Sequence, residues 1–258
     1  MKPSLSSPFR IAAAQSPSVA GDVARNTRTH LEFVRAAVYE RVHVLVFPEL
    51  SLTGYEPRLL AHHVFSADHP ALEPLRNAAA EHAITLVVGG PAAPVVEGAH
   101  PAIGAWVLAP DRSVALYRKR HLHANESQFA SAGAEDVQVQ LLAGEPTGMA
   151  VCADITHPEH AQAACNAGAA LYAAGAVISA KGYGPESALL EGYARDLGMA
   201  VLLANYSGQT GGYESAGRSA FWAPGGRCVV AASSDAPCIV WAERGDSGWN
   251  GAVLAVQA

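Results

Sequence analysis

Three polar residues of complementary chemistry each follow a short apolar segment of the chain. Glu49 comes after VLVFP, Lys119 after VALYR and Cys152 after GMAV. Because reactive groups of open α/β sheets gather where strands end, these segments predict that the three side chains lie at strand ends. A carboxylate, an ammonium group and a thiol together supply a base, a cation and a soft nucleophile. Those groups suffice for acyl transfer through a thioester.

Each of the three residues could also have a purely structural role and take no part in a reaction. Glu49 would then be a solvated carboxylate at a strand end, and Lys119 would belong to a basic surface triplet, RKR. Cys152 would be a small buried hydrophobic residue. Position alone does not decide between these alternatives, and the sequence around all three residues is needed.

The elements that must position these residues alternate between strands and helices. Apolar, β-branched runs predict strands, and apolar residues at helical spacing predict helices. The predicted strands lie at 9–14, 42–47, 84–88, 105–108, 114–117, 148–151, within 169–178, and at 199–204, 219–222, 228–232, 239–242 and 252–256. The predicted helices lie at 22–39, 70–82, 158–167 and 186–197, and the Pro/Gly-rich stretch at 89–101 predicts a loop or hairpin connection. Because few helices accompany many strands, an α/β fold with two mixed sheets packed together and helices outside is expected.

Length and composition exclude several classes of protein. The 258 residues are 50% hydrophobic and 16% charged, which rules out a disordered chain. The net charge of −6 offers no basic excess for phosphates, so no nucleic-acid partner is expected. No apolar run reaches the ~18–20 residues of a membrane span, and the first ten residues lack the apolar core of a secretory signal. With no long linker and no repeat, one domain over residues 1–258 is expected.

The cysteines and histidines suggest neither a disulfide framework nor a metal site. The cysteines stand at positions 152, 165, 228 and 238 without a C-x-x-C pair, which favours free thiols in a reducing cytoplasm. His121 with His123, and His157 with His160, form short pairs that lack a third ligand. No metal and no other cofactor is therefore expected.

Three segments resemble the signature blocks of the nitrilase superfamily of carbon–nitrogen hydrolases. They are FPELSLTGYEP at 47–57, YRKRHL at 117–122 and VCADITHPEHAQAACNAGAAL at 151–171. IAAAQSPSVAGDVARN, ARDLGMAVLLANYSG and GRSAFWAPGG resemble further blocks, so the resemblance covers nearly the whole chain in the family's order. It implies an αββα sandwich. Because such sandwiches commonly pair through their helices, it also implies a homodimer or higher homo-oligomer.

The resemblance also implies a role for each polar residue. Cys152 would be the nucleophile, Glu49 the general base and Lys119 the cation that stabilises the tetrahedral oxyanion. Glu126, in NESQFASAG, fits the second glutamate that the family often has between the lysine and the cysteine. It would hold Lys119 in place or help the second step. The backbone N–H of Ala153 would meet the oxyanion together with Lys119.

The sequence departs from the family pattern where the substrate is expected to bind. ADITH follows the cysteine, and SAKGY at 179–183 replaces a pocket wall that is often apolar or aromatic in the family. Tyr55, in LTGYEP, is expected either to line the pocket or to pack in the core. Lys181 at a pocket edge would favour a substrate with an anionic group, and the alternative is a surface lysine that never meets the ligand.

The leading functional hypothesis is a cysteine-dependent hydrolase of a small amide, which would form carboxylate and ammonia or amine through a thioester. A nitrilase or an N-carbamoyl hydrolase stays open, because it would use the same residues, and amides are favoured by analogy with the family. A scaffold or binding protein without turnover predicts the loss of a catalytic residue, but all three are present. Acyl transfer to an amine would need a second substrate pocket.

Overall fold

The computed structural model describes residues 8–133 and 139–257. Its strands are β1 Phe9–Gln15, β2 Val44–Val46, β3 Thr85–Ala92, β4 Ala102–Leu108, β5 Val114–Arg118, β6 Val139–Leu142, β7 Glu145–Val151, β8 Leu171–Ala176, β9 Ala200–Asn205, β10 Gln209–Thr210, β11 Tyr213–Glu214, β12 Ala220–Trp222, β13 Cys228–Ala231, β14 Cys238–Gly245 and β15 Gly248–Ala255. The α-helices are α1 Val23–Tyr39, α2 Glu73–Glu81, α3 Pro158–Asn166 and α4 Ala180–Asp196. Short 3₁₀ segments lie at Pro57–His62, Pro70–Leu72 and Cys152–Thr156.

The strands form two mixed sheets and a short two-stranded ribbon. The first sheet has the order β15-β14-β1-β2-β3-β4-β5, and the second has the order β13-β12-β9-β8-β7-β6. In each sheet, the three central strands are parallel to one another. The strands on either side of these three pair with them in the antiparallel direction. Parallel strands are usually covered on both faces, which explains why β2, β8 and β9 are nearly continuous apolar runs.

Alternation along the strands divides the apolar residues between two cores. Ile11 and Ala13 of β1 face the core between the sheets, whereas Ala12 and Ala14 belong to the core beneath α1 and α2. This follows from the two-residue period of a strand. Helices α3 and α4 pack on β7 and β9 of the second sheet. The predicted αββα sandwich with two mixed sheets is therefore confirmed.

The largest difference from the predicted elements lies at the start of α4. The sequence predicts a helix over 186–197, but α4 spans Ala180–Asp196. Gly182, Gly184 and Pro185 argue against a helix on propensity alone. The side chain of Ser179 accepts a hydrogen bond from the Gly182 N–H and caps the helix, so the helix begins before these residues.

A second difference concerns the glycine pair at the start of the predicted loop 89–101. Strand β3 continues through Gly89 and Gly90 to Ala92. A Cβ atom at Gly89 would lie 2.3 Å from the carbonyl oxygen of Pro48, and one at Gly90 would lie 2.6 Å from the ring of Phe65. The glycines therefore mark a strand that other groups approach closely rather than a turn.

Some strands are absent from the predicted set or longer than predicted. The strand β6 and the short β10 and β11 were not predicted, and the hairpin strands β14 and β15 are longer than predicted. Within residues 8–133 and 139–257, none of the helices has the length and hydrophobicity that crossing a membrane requires. The homodimer stays a prediction.

Candidate active site

Three strand ends meet where the two sheets face each other. Glu49 follows β2, Lys119 follows β5 directly, and Cys152 follows β7 directly. Cβ atoms at Gly89 and Gly175 would lie 2.3 Å and 2.6 Å from the backbone that precedes Glu49. Because both strands carry glycine there, the segment with Glu49 fits between the sheets.

A buried ammonium group joins two buried carboxylates at this place. Lys119 Nζ donates to Glu49 Oε1 at 2.7 Å and to Glu126 Oε1 at 2.8 Å. All three side chains are fully buried. Burial alone would lower the pKa of Lys119, but the charges of Glu49 and Glu126 raise it above its ordinary value. Lys119 is therefore a permanent cation inside the protein.

One oxygen of Glu49 is left without a hydrogen bond. Oε1 accepts from Lys119, whereas Oε2 is buried and has no hydrogen-bond partner among the described residues. Burial raises the pKa of Glu49 to about 7, although Lys119 opposes this, and the Cys152 thiol is close enough to affect the same pKa. A carboxyl group with such a pKa suits proton transfer near neutral pH.

Glu126 is the most completely partnered group of the cluster. Its Oε1 accepts from the Tyr55 hydroxyl at 2.6 Å as well as from Lys119, and its Oε2 accepts from the backbone N–H of His123 at 2.8 Å. These bonds hold the carboxylate so that it fixes the Lys119 ammonium group.

Cys152 adopts a backbone conformation that is unusual for its residue type. Its φ of 44° lies in the left-handed region, where a side chain with a Cβ atom is strained. The carboxylate of Asp154 stabilises this turn by accepting hydrogen bonds from the Val151 N–H at 3.0 Å, the His121 N–H at 2.9 Å and the Tyr117 hydroxyl at 2.7 Å. The turn presents the sulfur at the end of β7.

The thiol of Cys152 is neutral at rest and contacts a histidine. Burial and the charge of Glu49 raise its pKa well above the ordinary value, although Lys119 lowers it. Its Sγ lies 3.5 Å from His123 Nε2 and 3.8 Å from the carbonyl oxygen of Val177. A neutral thiol needs a base to remove its proton before it attacks a substrate, and the buried carboxyl group of Glu49 lies close to it.

The sulfur opens into a cavity of about 180 Å³. Pockets for drug-sized ligands hold roughly 300–1,000 Å³, so this cavity fits a small molecule. Its lining residues are Tyr55, His123, Asn125, Cys152, Val177, Ser179, Glu186 and Tyr213. Glu49, Lys119 and Glu126 are not among them and lie behind Cys152.

Comparison with known proteins identifies the family. The family model for carbon-nitrogen hydrolases matches residues 10–245. The chain belongs to the carbon-nitrogen hydrolase family. It is 34% identical over 215 residues to a glutamine-dependent NAD(+) synthetase of Xanthomonas campestris and 32% identical over 212 residues to one of Xylella fastidiosa. The matches cover 78% of this chain but only 37% and 38% of those proteins, so the chain spans well under half of their length.

The solved structures that resemble this chain include amidases. A variant of the amidase from Nesterenkonia sp. AN1, which carries the acetamide moiety of fluoroacetamide on its active-site cysteine, matches with a TM-score of 0.82 and 25% identity. That match covers 93% of this chain and 91% of the amidase. A variant in complex with butyramide matches with a TM-score of 0.81 and 25% identity, over 91% of this chain and 90% of the amidase. These neighbours belong to the nitrilase superfamily, so the resemblance seen in the sequence is confirmed.

The structure of this carbon-nitrogen hydrolase brings most of the predicted site residues together. Glu49, Lys119, Glu126 and Cys152 form one cluster, and Tyr55 both bonds to that cluster and lines the cavity. Ala153 is buried in the 3₁₀ segment directly after Cys152.

Lys181 does not join the cavity. It is exposed in the first turn of α4 and is not among the lining residues. Because successive helical residues lie about 100° apart, Glu186 points roughly 140° away from Lys181 around the helix axis. The cavity wall formed by α4 therefore carries a carboxylate instead of the expected ammonium group.

Sequence reasoning missed four cavity residues: His123, Asn125, Glu186 and Tyr213. His123 had a usable signal, because it stands two residues after His121 in the segment that follows Lys119 and shortly before Glu126. Tyr213 had none, since it lies in the two-residue strand β11 and reaches the cavity through tertiary packing against Tyr55. Glu186 is the first residue of the helix predicted over 186–197, and that position by itself indicates no role.

A histidine cluster beside the active site has no geometry suited to a metal. Within the described residues, ligand atoms of His121, His157 and Glu159 lie within 4.8 Å of one another. The two imidazole rings stack with centroids 3.8 Å apart and planes 12° apart. Because imidazole lone pairs lie in the ring plane, two stacked parallel rings do not direct them at one ion. His121 Nδ1 lies 3.0 Å from Asp154 Oδ1, and His157 Nδ1 lies 3.0 Å from Glu159 Oε1.

Proposed function

We propose that this carbon-nitrogen hydrolase cleaves small amides at Cys152 through a thioester, giving a carboxylate and ammonia or an amine. One observation carries this proposal. The Lys119 ammonium group bridges two carboxylates directly behind a cysteine whose sulfur opens into a small cavity. The arrangement supplies a base, a fixed cation and a nucleophile at one reacting carbon.

In the first half of the reaction, the amide is exchanged for a thioester. Glu49 takes the thiol proton while sulfur attacks the carbonyl carbon, and the carbonyl oxygen becomes an oxyanion. Lys119 and the backbone N–H of Ala153 stabilise that charge, where a single donor is typically worth ~10²–10³ in rate. The C–N bond then breaks as Glu49 returns the proton to the departing nitrogen, which leaves as ammonia or amine.

In the second half, water releases the acyl group. Glu49 takes a proton from a water molecule whose oxygen attacks the thioester carbon. A second oxyanion forms at the same donors and collapses as the C–S bond breaks. The carboxylic acid product leaves, and the proton on Glu49 returns to the sulfur. Glu126 takes no proton in this scheme and holds Lys119 through both halves.

The similar amidases support a small aliphatic substrate. One holds the acetamide moiety of fluoroacetamide on its active-site cysteine and another holds butyramide. Amides of this size agree with a cavity of about 180 Å³. Nitriles and N-carbamoyl compounds would use the same residues and belong in any substrate test.

Glutamine is a second candidate substrate. The curated relatives with 32–34% identity are named for their dependence on glutamine, and this chain matches them over 78% of its length. Glutamine carries a primary amide at the end of its side chain, which is the type of bond that the proposed reaction cleaves.

The test is ammonia release from a panel that holds acetamide, butyramide, glutamine, butyronitrile and an N-carbamoyl amine. Wild type is expected to release ammonia from at least one amide, and Cys152→Ala is expected to release none. Cys238→Ala is the matched control, because Cys238 is equally buried but lies in β14 outside the cavity. Equal release by Cys152→Ala and wild type, or release from no amide of the panel, would overturn the proposal.

A further inference from the structure

The wall of the cavity that α4 provides carries a carboxylate. Glu186 is half-buried and lines the cavity with Cys152 and Ser179. No lysine or arginine occurs among the lining residues that the structure describes. His123 is neutral near pH 7 because burial and the Lys119 charge lower its pKa. At neutral pH, the ionised form of Glu186 is therefore the one formal charge on the described lining of the cavity.

This carboxylate has no partner of its own. Among the described residues, Glu186 makes no hydrogen bond and no ion pair, and burial raises its pKa to about 7. A carboxylate that loses water without gaining a partner destabilises the protein. Because this carboxylate lines the cavity, a ligand bound there is able to supply a donor to it.

The carboxylate of Glu186 lies over the first turn of α4. A Cβ atom at Gly182 would lie 2.8 Å from Glu186 Oε1, so the side chain folds back over a glycine that leaves space for it. Its charge is near enough to the nucleophile to raise the pKa of the Cys152 thiol. One small molecule is therefore able to meet both the sulfur and the carboxylate.

Aromatic rings on the same cavity also suit a cation. Tyr55 and Tyr213 both line it, and their rings meet edge to face with centroids 5.6 Å apart. The face of a tyrosine ring attracts an ammonium or guanidinium group. These rings and Glu186 favour the same sign of ligand charge.

We infer that Glu186 is a specificity-determining residue that binds the ammonium or guanidinium group of a cationic small amide. This inference rests on the proposed function, since the amide carbon must lie at Cys152 while the cationic end meets Glu186. The inferred substrate is cationic, whereas the presence of Lys181 in the sequence suggested an anionic one.

The test measures binding apart from turnover. Cys152→Ala is titrated calorimetrically at pH 8 with 4-aminobutanamide, with pentanamide as its neutral isostere, and with succinamate as the anion. We expect 4-aminobutanamide to bind at least tenfold more tightly than pentanamide and succinamate to bind most weakly. Adding Glu186→Gln should bring the first two affinities within about threefold of each other.

Two further variants keep the experiment decisive. Glu191→Gln is the matched control, because Glu191 is an exposed carboxylate of the same helix outside the cavity, and it should keep the tenfold preference. Glu186→Lys should reverse the preference, so that succinamate binds more tightly than 4-aminobutanamide. Circular dichroism checks that every variant is folded.

The outcomes separate the two proposals. Equal binding of the cationic and neutral amides to Cys152→Ala, or a preference that survives Glu186→Gln or Glu186→Lys, would overturn the inference whether or not wild type hydrolyses an amide. If Cys152→Ala clearly prefers the cationic amide but wild type releases no ammonia from the panel, the subsite would be upheld and the proposed function overturned.

Discussion

Charged side chains are paired on one side of Cys152 and unpaired on the other. Behind the sulfur, Lys119 pairs with Glu49 and Glu126 at 2.7 and 2.8 Å, and the three side chains are fully buried. In front of it, Glu186 stands half-buried without a partner in the described residues. The difference teaches that the charges of the rear cluster are already paired with one another, whereas the charge on the front wall is left for a ligand to pair.

Replacing Lys119 by Met should give the largest effect, because it breaks the rear cluster at its centre. Two buried carboxylates would lose their shared cation, which typically costs about 3–5 kcal/mol of stability. Activity should fall by at least ~10²–10³ with the loss of an oxyanion donor. Urea unfolding and ammonia release measure the two losses, and Lys181→Met serves as the control. A stability loss below about 1 kcal/mol would show that the rear charges are not interdependent.

Replacing Glu49 by Gln should remove the base and leave the shape of the site. General base catalysis is typically worth ~10²–10⁴, so turnover should fall by that factor. The fold should persist, because an amide oxygen still accepts from Lys119. Turnover is measured with the best substrate of the panel, and activity within tenfold of wild type would remove Glu49 from the mechanism.

The pH profile should reflect the raised pKa of Glu49, which is about 7. Only the ionised carboxylate accepts the thiol proton, so kcat/KM should fall as the pH decreases through 7, by about tenfold per unit well below it. Profiles recorded from pH 5 to 9 with a neutral amide check this. A profile that is flat between pH 5 and 7 would contradict the assignment.

Replacing Tyr55 by Phe should loosen the rear cluster without breaking it. The change removes the 2.6 Å hydrogen bond to Glu126 but keeps the ring on the cavity. A hydrogen bond to a charged group is worth about 1.5–3 kcal/mol, so a decrease in kcat of roughly ten- to a hundredfold is expected. Tyr213→Phe is the control, since its ring also lines the cavity. Equal decreases in both variants would argue against a role for the bond.

The smallest effect is expected at Glu186, in the stability of the free protein. Its pKa is raised on folding, so the folded state binds more protons than the unfolded state between about pH 4.5 and 7. The contribution of Glu186 to stability is therefore lost as the pH rises through that window. Glu186→Gln should have a higher Tm than wild type, with a larger difference at pH 8 than at pH 5. A difference that does not depend on pH would show that Glu186 is solvated.

The rear cluster could be predicted from the sequence and the front wall could not. Glu49, Lys119 and Cys152 follow apolar strands within local motifs, so short segments determine where they lie. The wall of α4 depends on which residue starts the helix. Glycine and proline favoured a late start, whereas the Ser179 cap and packing produce an early one. That change places Glu186 at the cavity and leaves Lys181 in solvent.

The strand order of the first sheet has a consequence for synthesis of the chain. Strand β1 pairs with β14, which follows about 220 residues later. At roughly 5–20 residues per second, one side of β1 waits about 10–45 s on the ribosome before its partner emerges. An unpaired apolar strand edge is a template for pairing with another chain. Protection of the nascent β1 edge, for example by a chaperone, should therefore limit the yield of folded protein more than the assembly of the second sheet does.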